Sequence, residues 1–370
     1  MRIALIHYWL VAMRGGERVL ESLCRLFPQA DIFTHVCAPQ NLSPLLRSRT
    51  IRTSFIRKLP FSARLYQRYL PLMPLALEQL DLRGYDLVIS SESGPAKGVL
   101  THAGTPHICY CHTPMRYLWD FYQDYLERAG PVTRLLMRPL FHRLRLWDVL
   151  SANRVDVFVA NSRYVARRIA RLYRREAEVI HPPVEVDLFR PKGEPRPAKA
   201  GAPCLCLGEL TGYKRVDLAV EAFTRMKKPL LVIGRGPEEA RLRSLAGPNV
   251  TFLGTLSREA VVRQVQCCKA LIFPGEEDFG IVPVEAMAAG KPVIAYARGG
   301  ALETVREGTT GLFFQEQNAQ CLQDAVNRLE STAFDPEAII RHASFFSEEA
   351  FAGAFTDLVR RVTAAGTITF

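Results

Sequence analysis

Short apolar runs, each closed by a turn and followed by a segment of helical periodicity, alternate through both halves of this 370-residue chain. In the first half the runs fall at residues 2–8 (RIALIHY), 30–35, 85–90 (YDLVIS), 107–111 (HICYC), 155–161 (VDVFVAN) and 178–180. The first meets a turn at Met13-Arg14-Gly15-Gly16-Glu17, after which Val19, Leu20, Leu23 and Leu26 recur at helical spacing. Asn161-Ser162 reads as an N-cap for a helix over 163–172. The second half repeats the theme, with runs at 204–207, 229–233, 250–253, 270–273 and 292–295 and glycines (Gly208, Gly234, Gly254, Gly299) after run ends. Helices are expected over 216–223 and 281–289. Strand–helix alternation of this kind predicts an α/β chain with two doubly wound, Rossmann-like parallel sheets, whose ligands bind at the carboxyl ends of strands.

Length agrees with two such domains of about 150–200 residues each. Apolar residues make up 48% and the mean hydropathy is +0.01, enough for two cores and no sign of disorder. The segment PKGEPRPAKAGAP, residues 191–203, has no apolar period and marks the linker. The expected division is an N-terminal domain over 1–185, a linker over 186–203, a second domain over 204–345 and a C-terminal segment over 346–370. No apolar run approaches the roughly 20 residues that span a bilayer. The opening MRIALIHYWL lacks a following small-residue cleavage site and is read as a first buried strand of a cytoplasmic protein. The nine cysteines show no zinc spacing and are expected to be reduced.

Charge is divided unevenly. Residues 1–185 hold 26 Lys and Arg against 15 Asp and Glu, whereas residues 186–370 hold 22 of each, so the net +11 belongs to the first half. Between Asp31 and Glu78 there is no acid, while Arg57, Lys58, Arg64 and Arg68 alternate with Phe55, Phe61, Tyr66 and Tyr69. A second basic stretch runs from Arg128 to Arg175. This field favours an anionic partner such as phospholipid or a polyprenyl diphosphate. No RNA-binding signature accompanies it, and nucleic acid is not expected.

The stretch FPGEEDFGIVPVEAMAAGKPVIAYARGGALETV, residues 273–305, carries the chemistry. A strand ends at Phe273-Pro274, an acidic loop follows, and a helix begins near Ile281 whose free N–H groups suit a diphosphate. Glu285, a little over one turn into the helix, can accept bonds from vicinal hydroxyls such as those of a ribose. Glu277 lies on the loop, where a hexose on that diphosphate would sit.

The spacing Glu277-x7-Glu285, set among Phe279-Gly280, Ala286-Met287-Ala288, Gly290 and Pro292-Val293, resembles the signature of glycosyltransferase family 4, a retaining family with the GT-B fold. GGERVL (15–20), YKRVDLAVEAF (213–223), VIGRGPE, NVTFLG and GGALETV resemble further family segments, so the likeness covers nearly the whole chain. It implies that Lys214, with Arg215, grips a donor diphosphate together with backbone at Phe279, Gly280 and Ile281. Glu285 would hold the ribose, and Gly15 and Gly16 would let backbone approach donor and acceptor. Glu277, His112 and Lys214 would form the catalytic set, with His112 reaching the donor sugar. The likeness also implies that the C-terminal helix, around 348–362, can cross back to the N-terminal domain. Glu209 stands where many relatives carry Arg; either Arg215 supplies the second charge or the clamp is weaker. No D-x-D pair is present, and neither metal nor cofactor is expected.

HTPMRYLWDFYQDYL (112–126) and VIHPPVEVDLF (179–189) resemble bacterial mannosyltransferases that use GDP-mannose in O-antigen and exopolysaccharide assembly. The implied partners are a nucleotide sugar, a lipid-linked saccharide acceptor and an anionic membrane surface, with the protein peripheral to the inner membrane. Alternatives are a UDP-sugar donor, an epimerase or phosphorylase on the same fold, and a non-catalytic nucleotide-sugar-binding protein.

Overall fold

The structure, a computed structural model, describes residues 1–193 and 201–365. These fall into two compact units, one of residues 1–181 with the chain from Ala352 onward, the other Pro182–Phe351. The first holds strands β1 (Ile3–His7), β2 (Asp31–Thr34), β3 (Ile51–Thr53), β4 (Leu87–Glu92), β5 (His107–Cys111), β6 (Val157–Ala160) and β7 (Ala177–Val179). They form one sheet in the order β3-β2-β1-β4-β5-β6-β7. The second holds β8 (Cys204–Leu207), β9 (Leu230–Ile233), β10 (Val250–Gly254), β11 (Leu271–Phe273), β12 (Val293–Tyr296) and β13 (Gly311–Phe314), ordered β10-β9-β8-β11-β12-β13. Every pairing in both sheets is parallel.

Helices on both faces explain why the central strands are buried throughout, the polar residues at their ends included. All five residues of β1, all six of β4 and all five of β5 are buried. In β8 the alternation shows which layer each side chain serves. Cys204 and Cys206 pack with Ala219, Val220 and Phe223 of the helix Val216–Met226, while Leu205 packs on the other face with Val284 and Met287 of the helix Ile281–Ala288. Burying each Leu or Phe of these layers contributes about 1.5–3 kcal/mol.

Both sheets reverse direction beside their first strand. From β1 the chain steps outward through β2 to β3, then returns to β4 on the other side of β1. From β8 it steps through β9 to β10 and returns to β11. The crevices beyond the carboxyl ends of β1/β4 and β8/β11 are therefore topological switch points, where open parallel sheets bind ligands.

Several elements differ from expectation. β3 and β13 are additional strands, and a 22-residue helix, Pro131–Ala152, occupies much of the second basic stretch. The expected linker begins with structure: Val186–Phe189 is a helical turn, and Val184, Val186 and Phe189 enter the second unit's core. Residues 194–200 of the linker and 366–370 of the tail lie outside the described residues. The helix Glu348–Ala365 belongs to the first unit from Ala352 on, with Phe355 ring centroids 6.3 Å from Phe27 and Tyr110, and Arg361 2.7 Å from Glu178. No helix among the described residues is long and apolar enough to cross a membrane.

Candidate functional site

In the first unit, Gly15 and Gly16 open the helix Gly15–Leu26 beyond the end of β1. Glu17, at the third helical position, accepts the Arg14 backbone N–H at 3.0 Å, which fixes the turn. Gly16 is required by close approach: a Cβ there would stand 2.3 Å from the Tyr8 hydroxyl oxygen and 3.5 Å from His112 Nε2. His112, just past β5, is thus beside the glycine turn. Its Nε2 is 2.8 Å from Ser91 Oγ on β4, Ser91 Oγ is 3.0 Å from His7 Nδ1 on β1, and His7 Nε2 is 3.7 Å from Glu17 Oε1. The polar chain Glu17–His7–Ser91–His112 crosses the switch point of the first sheet. Burial opposes charge on Glu17, but His7 and the helix-end N–H groups hold its carboxyl below its ordinary value. Burial, with His7 nearby, pushes His112 down to about 3, so its imidazole is neutral at physiological pH.

Two further imidazoles share that condition. His35 and His107 are 1% and 0% exposed, and burial lowers each to about 4 from an ordinary 6.5. In the unfolded chain these groups take up protons below about pH 6.5, while the folded chain resists until about pH 4. Stability is therefore complete above pH 6.5 and declines as pH falls, by about 1.4 kcal/mol per pH unit for each imidazole. Urea midpoints measured from pH 7.5 to 4.5 should fall below pH 6.5. A midpoint that holds steady to pH 5 would show that these histidines are solvated.

In the second unit the loops after β8 and β11 meet across the other switch point. Lys214 Nζ lies 2.9 Å from Glu277 Oε1, with the two side chains 16% and 21% exposed. Burial opposes the lysine's charge, but Glu277, Tyr213 and Glu209 keep its pKa above the ordinary value. Glu277 is held in turn by the loop after β12, whose Gly300 N–H donates to the Glu277 carbonyl at 2.8 Å. Gly280 caps the helix Ile281–Ala288 at φ 95°, a left-handed conformation that a residue with a Cβ resists. Having no side chain, it provides no side-chain cap for the first-turn N–H groups of Ile281 and Val282; Pro283 has no N–H to offer. Phe279 contributes backbone only, since its ring is 3% exposed and packs edge-on against Phe346 at 5.6 Å.

Two predicted donor residues have charged partners within the second unit. Arg215, itself left-handed at φ 51°, turns to Asp217, with Nε 3.2 Å from Oδ1 and Nη2 3.3 Å from Oδ2. Glu285 is 5% exposed, and its Oε1 is 2.9 Å from Nη2 of Arg258, which also holds Glu185 at 2.8 Å. Sequence reading missed His7, Ser91, Glu17, Asp217 and Arg258. Only Glu17 carried a local signal, standing three residues after Arg14 at a helix start.

Residues 13–188 match the family model described as Glycosyltransferase Family 4, and residues 196–344 match Glycosyl transferases group 1. The chain is similar to D-inositol 3-phosphate glycosyltransferase of Mycobacterium leprae (strain Br4923), 30% identical over 220 residues, or 52% of this chain and 51% of that protein. Its namesake in Mycobacterium bovis (strain BCG / Pasteur 1173P2) is 29% identical over 234 residues, 56% and 48% of the two chains. The chain thus spans about half the length of the curated relatives it matches. Among solved structures, Anabaena HepE in complex with UDP matches with a TM-score of 0.72 at 18% identity, covering 98% of this chain and 100% of that one. Sucrose-phosphate synthase from Thermosynechococcus elongatus matches with a TM-score of 0.69 at 21% identity, covering 99% and 100%. At such identities the likeness is one of fold. The two family models, one of glycosyltransferase family 4 and the other of glycosyl transferases group 1, between them take in nearly the whole sequence, and the fold is GT-B.

Proposed function

We propose that this protein transfers a hexose, with retention of anomeric configuration, from a nucleotide sugar to a lipid-linked saccharide at an anionic membrane surface. The observation that carries the reading is the Lys214–Glu277 pair on the loops that lead to the N-terminus of the helix Ile281–Ala288, an end that Gly280 leaves without a side-chain cap. A cation and the backbone N–H groups of a helix start together suit a diphosphate, and the carboxylate suits the hydroxyls of the sugar attached to it.

In the proposed reaction the bond between the sugar C1 and the diphosphate oxygen breaks, and the nucleoside diphosphate leaves with the electron pair. Lys214 and the helix end stabilise the charge that builds on it. The acceptor hydroxyl oxygen bonds to C1 on the same face, and its proton passes to the departing phosphate oxygen. Leaving and entering groups then share a face, and no separate carboxylate base is needed. His112, neutral and tied through Nε2 to Ser91, would act as a hydrogen-bonding group rather than as a cation. Glu285, oriented by Arg258, would receive the ribose hydroxyls. The lysine and helix end supply the charge that a divalent metal supplies in other transferases, and metal is not required in this scheme.

We assign mannose from GDP-mannose as the donor, on the segments 112–126 and 179–189. A UDP-sugar is the second reading, favoured by the fold neighbour from Anabaena, whose structures include complexes with UDP and with UDP-glucose. Purified protein should release nucleotide from one member of a panel of GDP- and UDP-sugars, in the presence of EDTA, and NMR of the product from an α-linked donor should show an α-linkage. A β-linked product would overturn the retaining mechanism, and loss of turnover in EDTA with recovery in Mg²⁺ or Mn²⁺ would overturn the metal-free scheme. UDP-glucose as the sole productive donor would establish the second reading.

A further inference from the structure

The helix Pro131–Ala152 breaks the usual rule for a helix on the surface of a water-soluble unit. One face is ordinary: Phe141, Leu144 and Asp148 are buried against the body of the first unit. The opposite face should be polar. Instead Val132, Leu135, Leu136, Leu146 and Leu150 are 71%, 69%, 65%, 53% and 64% exposed. Their spacing, with exposed Pro139 between, follows the three- and four-residue steps of a single helical stripe. At about 1.5 Å per residue that stripe extends roughly 30 Å along the surface. Isolated exposed leucines need no explanation, but a continuous line of them does.

The charges around the stripe identify what covers it. Arg143 lies within it and Arg138 and His142 lie on its flank, all exposed. From Arg128 to Trp147 the sequence contains no Asp or Glu, and the helix's one acid, Asp148, is fully buried. A second copy of this chain would bring arginines against arginines with no acid to answer them. An anionic lipid surface answers both features, taking the leucines into the boundary of its acyl chains and the arginines among its phosphates.

The acid-free segment 32–77 is less suited to that insertion than its sequence suggests. Phe55, Tyr66 and Tyr69 are half-buried against Val36, Ile56 and Met73, and Tyr66 lies against Trp9 with ring centroids 4.8 Å apart. Of Phe55, Phe61, Tyr66 and Tyr69, Phe61 alone is exposed, at 76%.

We propose that the helix Pro131–Ala152 lies in the plane of an anionic leaflet and inserts its Val132–Leu150 stripe. This deepens the membrane-surface reading above by naming the inserting element, and it can be tested without turnover. Full-length protein should co-sediment with vesicles of phosphatidylcholine and phosphatidylglycerol, more as the anionic fraction rises and less as salt rises, and weakly with phosphatidylcholine alone. The variant L135D/L136D alters two side chains that are two-thirds exposed, so its circular dichroism and its donor hydrolysis should be unchanged, while its partition coefficient should fall at least about tenfold. A Leu136→Trp variant should show a blue shift in emission on adding anionic vesicles. Wild-type protein that ignores anionic vesicles at low salt would overturn both the membrane reading and this proposal. Wild-type binding that L135D/L136D leaves intact would overturn this proposal alone and return the contact to Arg57, Lys58, Arg64 and Arg68. A dimer in sedimentation velocity that L135D/L136D dissociates would assign the stripe to a second copy and overturn the proposal as well.

Discussion

Replacing Lys214 by alanine is expected to lower kcat for nucleotide release by about 10²–10³, the loss usual when a preorganised group facing developing charge is removed. The expectation rests on placement. Lys214 follows β8, Glu277 follows β11, and these neighbouring strands flank the switch point of the second sheet. In the free protein Glu277 holds the ammonium at 2.9 Å and keeps it charged despite burial. An incoming diphosphate would meet a cation already desolvated and oriented, so little reorganisation accompanies the charge that develops on the leaving group. The effect should fall on kcat more than on KM, because charge on the bridging oxygen grows as the bond breaks. Glu277→Ala is expected to lose activity to a similar degree, since it removes both the sugar contact and the residue that poises Lys214. Steady-state kinetics with unchanged far-UV circular dichroism would check this. A Lys214→Ala enzyme within about threefold of wild type in kcat would remove Lys214 from the charge-stabilising role.

The sequence exposed the framework where one run of residues contained the whole physical cause. β5 and β8 match their expected bounds to the residue, because HICYC and CLCL are buried on both faces and stopped by turn chemistry on the chain itself. β3 escaped notice because it is an edge strand of three residues, Ile-Arg-Thr, two of them exposed, and its pairing with β2 is what makes it a strand. The helix Pro131–Ala152 was hidden by its exposed leucines and by Pro131 and Pro139, which blur the usual polar face and carry a helix-breaking signal. In the site, Lys214, Glu277 and the Gly280 helix start were legible as motif residues. Their meeting across two loops was not, because nothing local encodes it. The partners of Glu285 and Arg215 were hidden for different reasons. Arg258 stands far along the chain from Glu285, while Asp217 is so close to Arg215 that only the left-handed turn at Arg215 brings the two side chains together. Aromatic residues between basic ones in 55–69 pointed to a lipid-facing surface, but three of the four turn inward, since the first unit had apolar surface there to cover.

The largest stability effect is expected at Lys97, a residue that no motif marks. Its side chain is fully buried, with Nζ 3.3 Å from Glu92 Oε1 and in a close ion pair with Asp148. Glu92 ends β4, and its other oxygen accepts the backbone N–H groups of Ala96 and Lys97 at 2.7 and 2.8 Å. Asp148 lies on the long helix and also accepts Trp119 Nε1 at 2.8 Å and the Tyr173 hydroxyl at 3.0 Å. One ammonium thus ties the loop after β4 to the helices Pro131–Ala152 and Arg163–Tyr173. Burial raises the pKa of Glu92 even with Lys97 beside it, so taking the cation away would leave two acids sharing a dry site. Lys97→Ala should therefore cost about 3–5 kcal/mol, the loss typical when one partner of a buried charge cluster is removed. That is a large share of the roughly 5–15 kcal/mol that holds a domain folded. Urea titration followed by the fluorescence of Trp9, Trp119 and Trp147, all in the first unit, should show its transition moving to lower denaturant. Neutralising the acids together with the lysine, in K97M/E92Q/D148N, should recover much of the loss, because a site with no charge has none left uncompensated. If Lys97→Ala alone leaves that transition in place, water reaches the cluster and the three charges do not support the packing of the helices around it.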